Sequence, residues 1–144
     1  MFKVLMSKGA ARVSMAGVMA ALAFQATPGF AQTEGPDPLK IYFQTNSRTV
    51  SDEGQETLDQ AARLFRDGNP IVMIVAGGTD TVGAPEYNLQ LSLDRAQAVA
   101  GQLVARGIPV DRLQVLGRGA SELIVKTEDN VENPDNRVVE ISWR

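Results

Sequence analysis

The 144-residue chain contains no cysteine and no histidine. Without cysteine there is no thiolate, no disulfide and no residue to carry a lipoprotein's acyl chains; without histidine there is no imidazole base, no Ser-His or Cys-His nucleophile pair and no His-ligated zinc. Most hydrolytic and redox chemistry is thereby removed, and only carboxylate, Ser-Lys or Thr-based catalysis survives as a formal option. Aromatic residues are sparse, at 6%. Basic residues are in deficit as well, 14 against 17 acidic ones. Three of them (Lys3, Lys8 and Arg12) fall in the first 31 positions, so the rest of the chain holds 11 basic and 17 acidic residues, a net charge of −6. A nucleic-acid binder needs a basic footprint, and this chain lacks one. The 44% of apolar residues suffices for one domain with a modest core.

Residues 1–31 divide into a basic start, an uncharged apolar stretch from Val13 to Phe24, and a small-residue exit at Gly29-Phe30-Ala31 before Gln32. This is the tripartite form of a secretory signal. Its apolar run is too short for the roughly 20 residues that span a bilayer, so cleavage after Ala31 is expected rather than retention as an anchor. Residues 32–38 hold two prolines and a glycine and read as a linker. No later run is long and apolar enough to span, nor do short alternating strands repeat as in a membrane barrel. The expectation is an exported, soluble protein with one domain over residues 39–144.

Within that domain, Leu39 to Phe43 is β-prone. Ser51 then offers an N-cap, Asp52 and Glu53 place carboxylates in a first helical turn, and Leu58, Ala61, Ala62 and Phe65 recur at helical spacing until Gly68-Asn69-Pro70. Ile71 to Ala76 is a continuous apolar run, the mark of a buried central strand. A second, longer helix is expected from Tyr87 to Arg106, with Leu89, Leu93, Ala96, Ala100 and Leu103 on its apolar face and Gly107 closing it. Asn88, Ser92 and Arg95 then lie on the flank of that stripe. Further strands are expected at Arg112–Leu116 and Val138–Trp143, separated by a polar stretch from Gly117 to Asn136 that is too long for a tight hairpin. Met73 and Trp143 are expected in the core. The order predicts an α+β fold, a small mixed sheet covered by two helices, with nothing in the sequence to show what covers its other face.

Ligands of open α/β sheets gather beyond the carboxyl ends of strands. Here that place is Gly77-Gly78-Thr79-Asp80-Thr81-Val82-Gly83. Asp80 brings a carboxylate, and the next helix brings Asn88 and Arg95 two turns apart, roughly 10 Å along its axis. One acid, one guanidinium and an amide suit a zwitterion, its ammonium on Asp80 and its carboxylate on Arg95. Two such residues also pair with each other in many proteins, and composition leaves both readings open. Asn46, just beyond the first strand, either lines the same end of the sheet or turns the chain. The glycine spacing fits neither a dinucleotide site nor a P-loop, and the paired carboxylates Asp52-Glu53 and Glu128-Asp129 belong on solvated surfaces. No metal or cofactor motif is present.

The run Thr79-Asp80-x-x-Gly83-x-x-x-Tyr87-Asn88-x-x-Leu91-Ser92-x-x-Arg95-Ala96-x-x-Val99-x-x-x-Leu103, followed by Gly107-Ile108, Gly117-x-Gly119 and Asn136-Arg137-x-Val139, resembles the OmpA-like peptidoglycan-binding domain. The likeness covers about residues 39–143. It implies a β-α-β-α-β-β fold with both helices on one face, and a non-catalytic periplasmic module that holds the peptide stem of peptidoglycan. It further implies that Asp80 takes the ammonium and Arg95 the carboxylate of meso-diaminopimelate, with hydrogen bonds from Asn46 and Asn88. Three positions depart from the family pattern: Gly78 where histidine is usual, Gln44 where an acid is common, and Val138 in place of an arginine. An envelope protein-protein interaction module that keeps the fold without the ligand is the alternative. Either way the chain would associate with the cell envelope, directly with the wall or at the outer membrane through a protein partner.

Overall fold

The computed structural model describes residues 37–69 and 72–144. The proposed signal and most of the linker lie outside this range. Strand β1 spans Leu39–Tyr42 and is followed by helix α1, Asp52–Gly68. Ser51 caps α1 as its sequence suggests, its hydroxyl accepting from the Gly54 N–H at 3.1 Å. At the other end Asn69 takes a left-handed conformation (φ 43°), and its N–H returns to the Phe65 carbonyl. Leu58, Ala61 and Ala62 are buried on the inward stripe.

Strand β2, Met73–Gly77, leads to helix α2, Pro85–Ala105. The helix starts before the expected Tyr87 because Pro85 sits at its first turn, where a missing N–H costs nothing. A 3-10 turn at Val110–Arg112 precedes β3, Leu113–Gly117, and a second one at Pro134–Asn136 precedes β4, Val138–Trp143. The sheet runs β1-β4-β2-β3, so β2 and β4 are internal. β2 and β3 are parallel, whereas β4 is antiparallel to both of its neighbours.

Alternate strand residues (Ile41, Met73, Val75, Val139 and Ile141) meet Leu58, Ala61, Ala96, Val99 and Leu103 in a single core. Both helices therefore pack on one face of the α+β sheet. The other face carries Lys40, Tyr42, Gln114 and Glu140, and the long polar stretch reaches it only near Ala76 and Val138, where Glu122 and Ile124 line a shallow cleft. Met73 is fully buried and Trp143 packs against the edge of the core.

Ala96, Ala100 and Leu103 are buried as expected, but the first half of α2 does not turn inward the stripe that hydrophobicity selects. Leu89 is half exposed, while Asn88, Ser92 and Arg95 are buried beside Leu91, Ala96 and Val99. The cause is the close approach of α2 to the sheet. Gly77 and Gly117 are register partners on β2 and β3, and a Cβ on Gly77 would fall 1.9 Å from the Ser92 carbonyl oxygen. One on Gly117 would lie 2.9 Å from Leu93 Cβ. The Ser92 hydroxyl donates to the Leu89 carbonyl at 2.7 Å and accepts from the Gly119 N–H at 2.8 Å, so a small polar side chain fits where a larger apolar one would hold the helix off.

Gly77→Ala is therefore expected to cost about 3 kcal/mol or more by overpacking, read as a lower urea midpoint. Gly68→Ala, where a Cβ meets nothing within 4 Å, is the control and should be neutral or slightly stabilising.

Candidate functional site

The loops after β1 and β2 leave the same end of the sheet and meet over the first half of α2. Between them lies a cavity of about 270 Å³ whose lining includes Asn46, Asp80, Asn88 and Arg95. The four residues singled out in the sequence are thus brought together, with Tyr87 and Arg137 beside them.

Arg95 is fully buried. It does not pair with Asp80. Its Nε donates to the Ser47 carbonyl at 2.8 Å, one terminal nitrogen to Gln44 O at 3.0 Å and the other to Gly78 O at 3.2 Å. The guanidinium also lies 5.3 Å from the centroid of the Phe43 ring, within cation–π range. Burial, helped by the like charge of Arg137 and opposed by Asp80, pushes its pKa down to about 10, so it stays cationic at neutral pH. A guanidinium has five N–H donors, and three backbone carbonyls use three of them. Arg95 is at once a lining residue and the clasp joining the two loops.

The loop after β1 is tied to α2 at its surface too. Arg48 pairs with Asp94 at 2.8 Å, and the Tyr87 hydroxyl donates to Asn46 Oδ1 at 3.3 Å. Asn46 itself sits in the left-handed region (φ 55°) and is exposed at the cavity mouth. Both readings of Asn46 therefore hold, since it turns the chain and lines the end of the sheet.

Asp80 is 6% exposed. One carboxylate oxygen accepts from the Val82 N–H at 3.2 Å, and the other accepts from Arg137 at 3.2 Å. A carboxylate has about four lone-pair sites, so acceptor capacity remains for a ligand cation. Asn88, also buried, donates to the Val82 carbonyl at 2.9 Å and so fixes the loop that carries Asp80.

The residue that the site assignment missed is Arg137. Its Nε donates to the Phe43 carbonyl at 3.0 Å while a terminal nitrogen reaches Asp80, so it links β1 to the loop after β2. Asn136 anchors it from the preceding position, with its side chain both accepting from the Val125 N–H and donating to the Val125 carbonyl, each at 2.8 Å. The only signal in the sequence was the Asn-Arg pair before the last strand.

The departures at 44 and 78 fall where the backbone does the bonding. Gln44 and Gly78 supply carbonyls to Arg95, and the Gly78 N–H donates to the Val138 carbonyl at 2.7 Å. Arg95→Met is expected to strand three carbonyls and to cost about 3 kcal/mol or more, measured by urea unfolding. Asp80→Asn removes the carboxylate from a buried ion pair and leaves Arg137 and Arg95 without it, so it too is expected to destabilise, by about 3 kcal/mol.

A model of the OmpA family matches residues 42–137. Outer membrane protein A of Klebsiella aerogenes is 38% identical over 98 residues, which are 64% of this chain and 27% of that protein. Outer membrane protein A of Shimwellia blattae is 36% identical over 110 residues, 68% of this chain and 46% of that protein. The chain thus spans less than half the length of either relative. Among solved structures, the peptidoglycan-associated lipoprotein from Burkholderia pseudomallei superimposes with a TM-score of 0.67 at 27% identity, covering 73% of this chain and 89% of that one. The cell wall anchor of the T6SS from Pseudomonas aeruginosa does so with a TM-score of 0.60 at 29% identity, covering 74% and 79%. With a model match across most of the described domain and the fold to go with it, the chain belongs to the OmpA family.

Proposed function

We propose that this domain is a non-catalytic binding module for the diaminopimelate-containing peptide stem of peptidoglycan, acting in the periplasm and associating with the cell wall. The observation that carries the reading is the charge of the cavity. Two guanidinium groups, Arg95 and Arg137, flank one carboxylate, Asp80, so the protein groups leave a positive excess. A free amino-acid end supplies both halves of the complement. Its ammonium meets the remaining acceptor capacity of Asp80, and its carboxylate relieves the repulsion between Arg95 and Arg137 that burial makes worse. Asn46 and Asn88 stand at the rim and floor to accept or donate the remaining hydrogen bonds.

The relatives support this reading by their names alone, one a peptidoglycan-associated lipoprotein and one a cell wall anchor. Residues 1–31 act as the export signal and 32–38 as the linker in this proposal. With a net charge of −6 after that signal, the domain gains nothing from long-range attraction to an acidic wall, and binding rests on contacts in the cavity. Such a module either associates with the wall directly or joins it to a protein partner in the envelope.

Co-sedimentation of residues 32–144 with diaminopimelate-type sacculi tests the proposal. The protein should pellet, free meso-diaminopimelate should release it, and Asp80→Ala should weaken pelleting at least roughly tenfold, the value of one lost charge-assisted hydrogen bond. Pelleting that neither competitor nor variant changes would overturn the site assignment. No pelleting at all would turn the search to envelope proteins that occupy the same face.

A further inference from the structure

The polar stretch between β3 and β4 is far longer than a tight hairpin needs, and it meets the Asp80 loop at Thr81. Asp80 and Val82 line the cavity of about 270 Å³. The side chain of Thr81, between them, is directed away from that cavity and into residues 128–131. Its hydroxyl donates to the Glu128 carbonyl at 2.6 Å and accepts from the Val131 N–H at 3.0 Å. Its backbone carbonyl accepts from the Asn130 N–H at 3.1 Å. Asn130 takes a left-handed conformation there (φ 57°), which folds the segment tightly enough to bring three of its backbone groups onto one threonine.

The peptide group that joins Thr81 to Val82 is thereby held at both ends. Its oxygen is bonded to Asn130, and its N–H donates to one carboxylate oxygen of Asp80 at 3.2 Å. A peptide group is planar, so fixing the direction of its oxygen fixes the direction of its N–H. Rotation of this one plane would withdraw the donor from Asp80. The other carboxylate oxygen leads to the same polar stretch by a second route, since it accepts from Arg137, whose neighbour Asn136 is bonded through its side chain to both backbone groups of Val125. Asn88 holds the carbonyl of Val82 at 2.9 Å and so secures the next peptide rather than this one.

Building on the wall-binding reading above, we propose that Thr81 is a positioning residue, through which residues 128–131 set the direction of the Asp80 carboxylate toward a ligand's ammonium. Thr81 acts without touching the ligand. Its hydroxyl suits the role because one oxygen both donates and accepts, and the segment presents it with one carbonyl and one N–H. Loss of the hydroxyl leaves those two groups to water and frees the 81–82 peptide to turn, while Asp80 keeps its charge and its bond to Arg137. Linkage is reciprocal, so a ligand that fixes Asp80 also tightens the contacts of Thr81.

Calorimetry with meso-diaminopimelate and amide hydrogen exchange, on the protein and its Thr81→Val and Thr81→Ser variants, test this. Thr81→Val should weaken binding about fivefold, the worth of roughly one hydrogen bond, and without ligand it should speed exchange at the Val82 N–H by a similar factor. Thr81→Ser, which keeps the hydroxyl, should match the wild type in both. In the wild type, meso-diaminopimelate should slow exchange at Asn130 and Val131, a readout that needs no variant to fold, and unchanged exchange there with the ligand bound would overturn the proposal. A purely structural role would lower the urea midpoint of Thr81→Val and leave its affinity and its Val82 exchange unchanged; that result, or Thr81→Ser failing together with Thr81→Val, would overturn the proposal as well. If the wild-type protein does not bind meso-diaminopimelate, the wall-binding reading falls, and the Val82 exchange, measured without ligand, still decides whether Thr81 sets the Asp80 turn.

Discussion

The structure turns on one buried cation. Arg95 stands in the middle of α2 with no exposed surface, and its three hydrogen bonds reach carbonyls of the loop after β1 and of the loop after β2. Desolvating a guanidinium is costly, and it is tolerated only where its donors are met. Three carbonyls meet one donor on each of its nitrogens, and in exchange two segments that have few apolar residues of their own acquire fixed positions. Phe43, buried below the guanidinium, closes the arrangement from the sheet side. The cavity exists because the loops are held apart at a set distance by the side chain between them.

That clasp depends in turn on how near α2 can come. Residues with any side chain at 77 or 117 would push the helix outward from the sheet, and the carbonyls of Gln44, Ser47 and Gly78 would fall beyond the reach of Arg95. Ser92 completes the contact by bonding across to Gly119. The glycine pair on β2 and β3, the serine one turn before Arg95 and the arginine itself therefore form one mechanical unit, and the position of Asn88 follows from it because the helix is rigid.

Much of this was legible from the sequence, where local rules apply. Ser51, Asn69 and Gly107 act in the structure as the caps that they resemble, and the apolar residues before Gly77 form an internal strand, paired along both edges, with Met73 and Val75 in the core under the helices. The spacing of Asp80, Asn88 and Arg95 also foretold that they would gather at one end of the sheet. Side-chain partners were not legible. Arg137 meets Asp80 across 57 positions of sequence, and no periodicity connects them. The apolar stripe of α2 holds at Ala96, Ala100 and Leu103 but not in the first half of the helix: hydrophobicity chose Leu89, whereas the helix turns its polar Asn88, Ser92 and Arg95 inward, since glycines on the facing strands bring it within bonding distance of backbone groups that need partners.

The same geometry explains why substitutions away from the family pattern at 44 and 78 leave the cavity standing. A side chain that serves only through its backbone carbonyl is free to vary, and Gln44 and Gly78 serve Arg95 in that way. Val138 lies next to Arg137 but points to the opposite side of the strand, where it is buried against the cover that the polar stretch provides, so losing a charge there does not alter the balance of two guanidinium groups and one carboxylate in the cavity. Variation at such positions changes the surroundings of the site, whereas Asp80, Arg95 and Arg137 act through their side chains and set what the site can hold. What the chain builds at this end of the sheet is a fixed pattern of charge, two guanidinium groups around one carboxylate, held in place by backbone carbonyls.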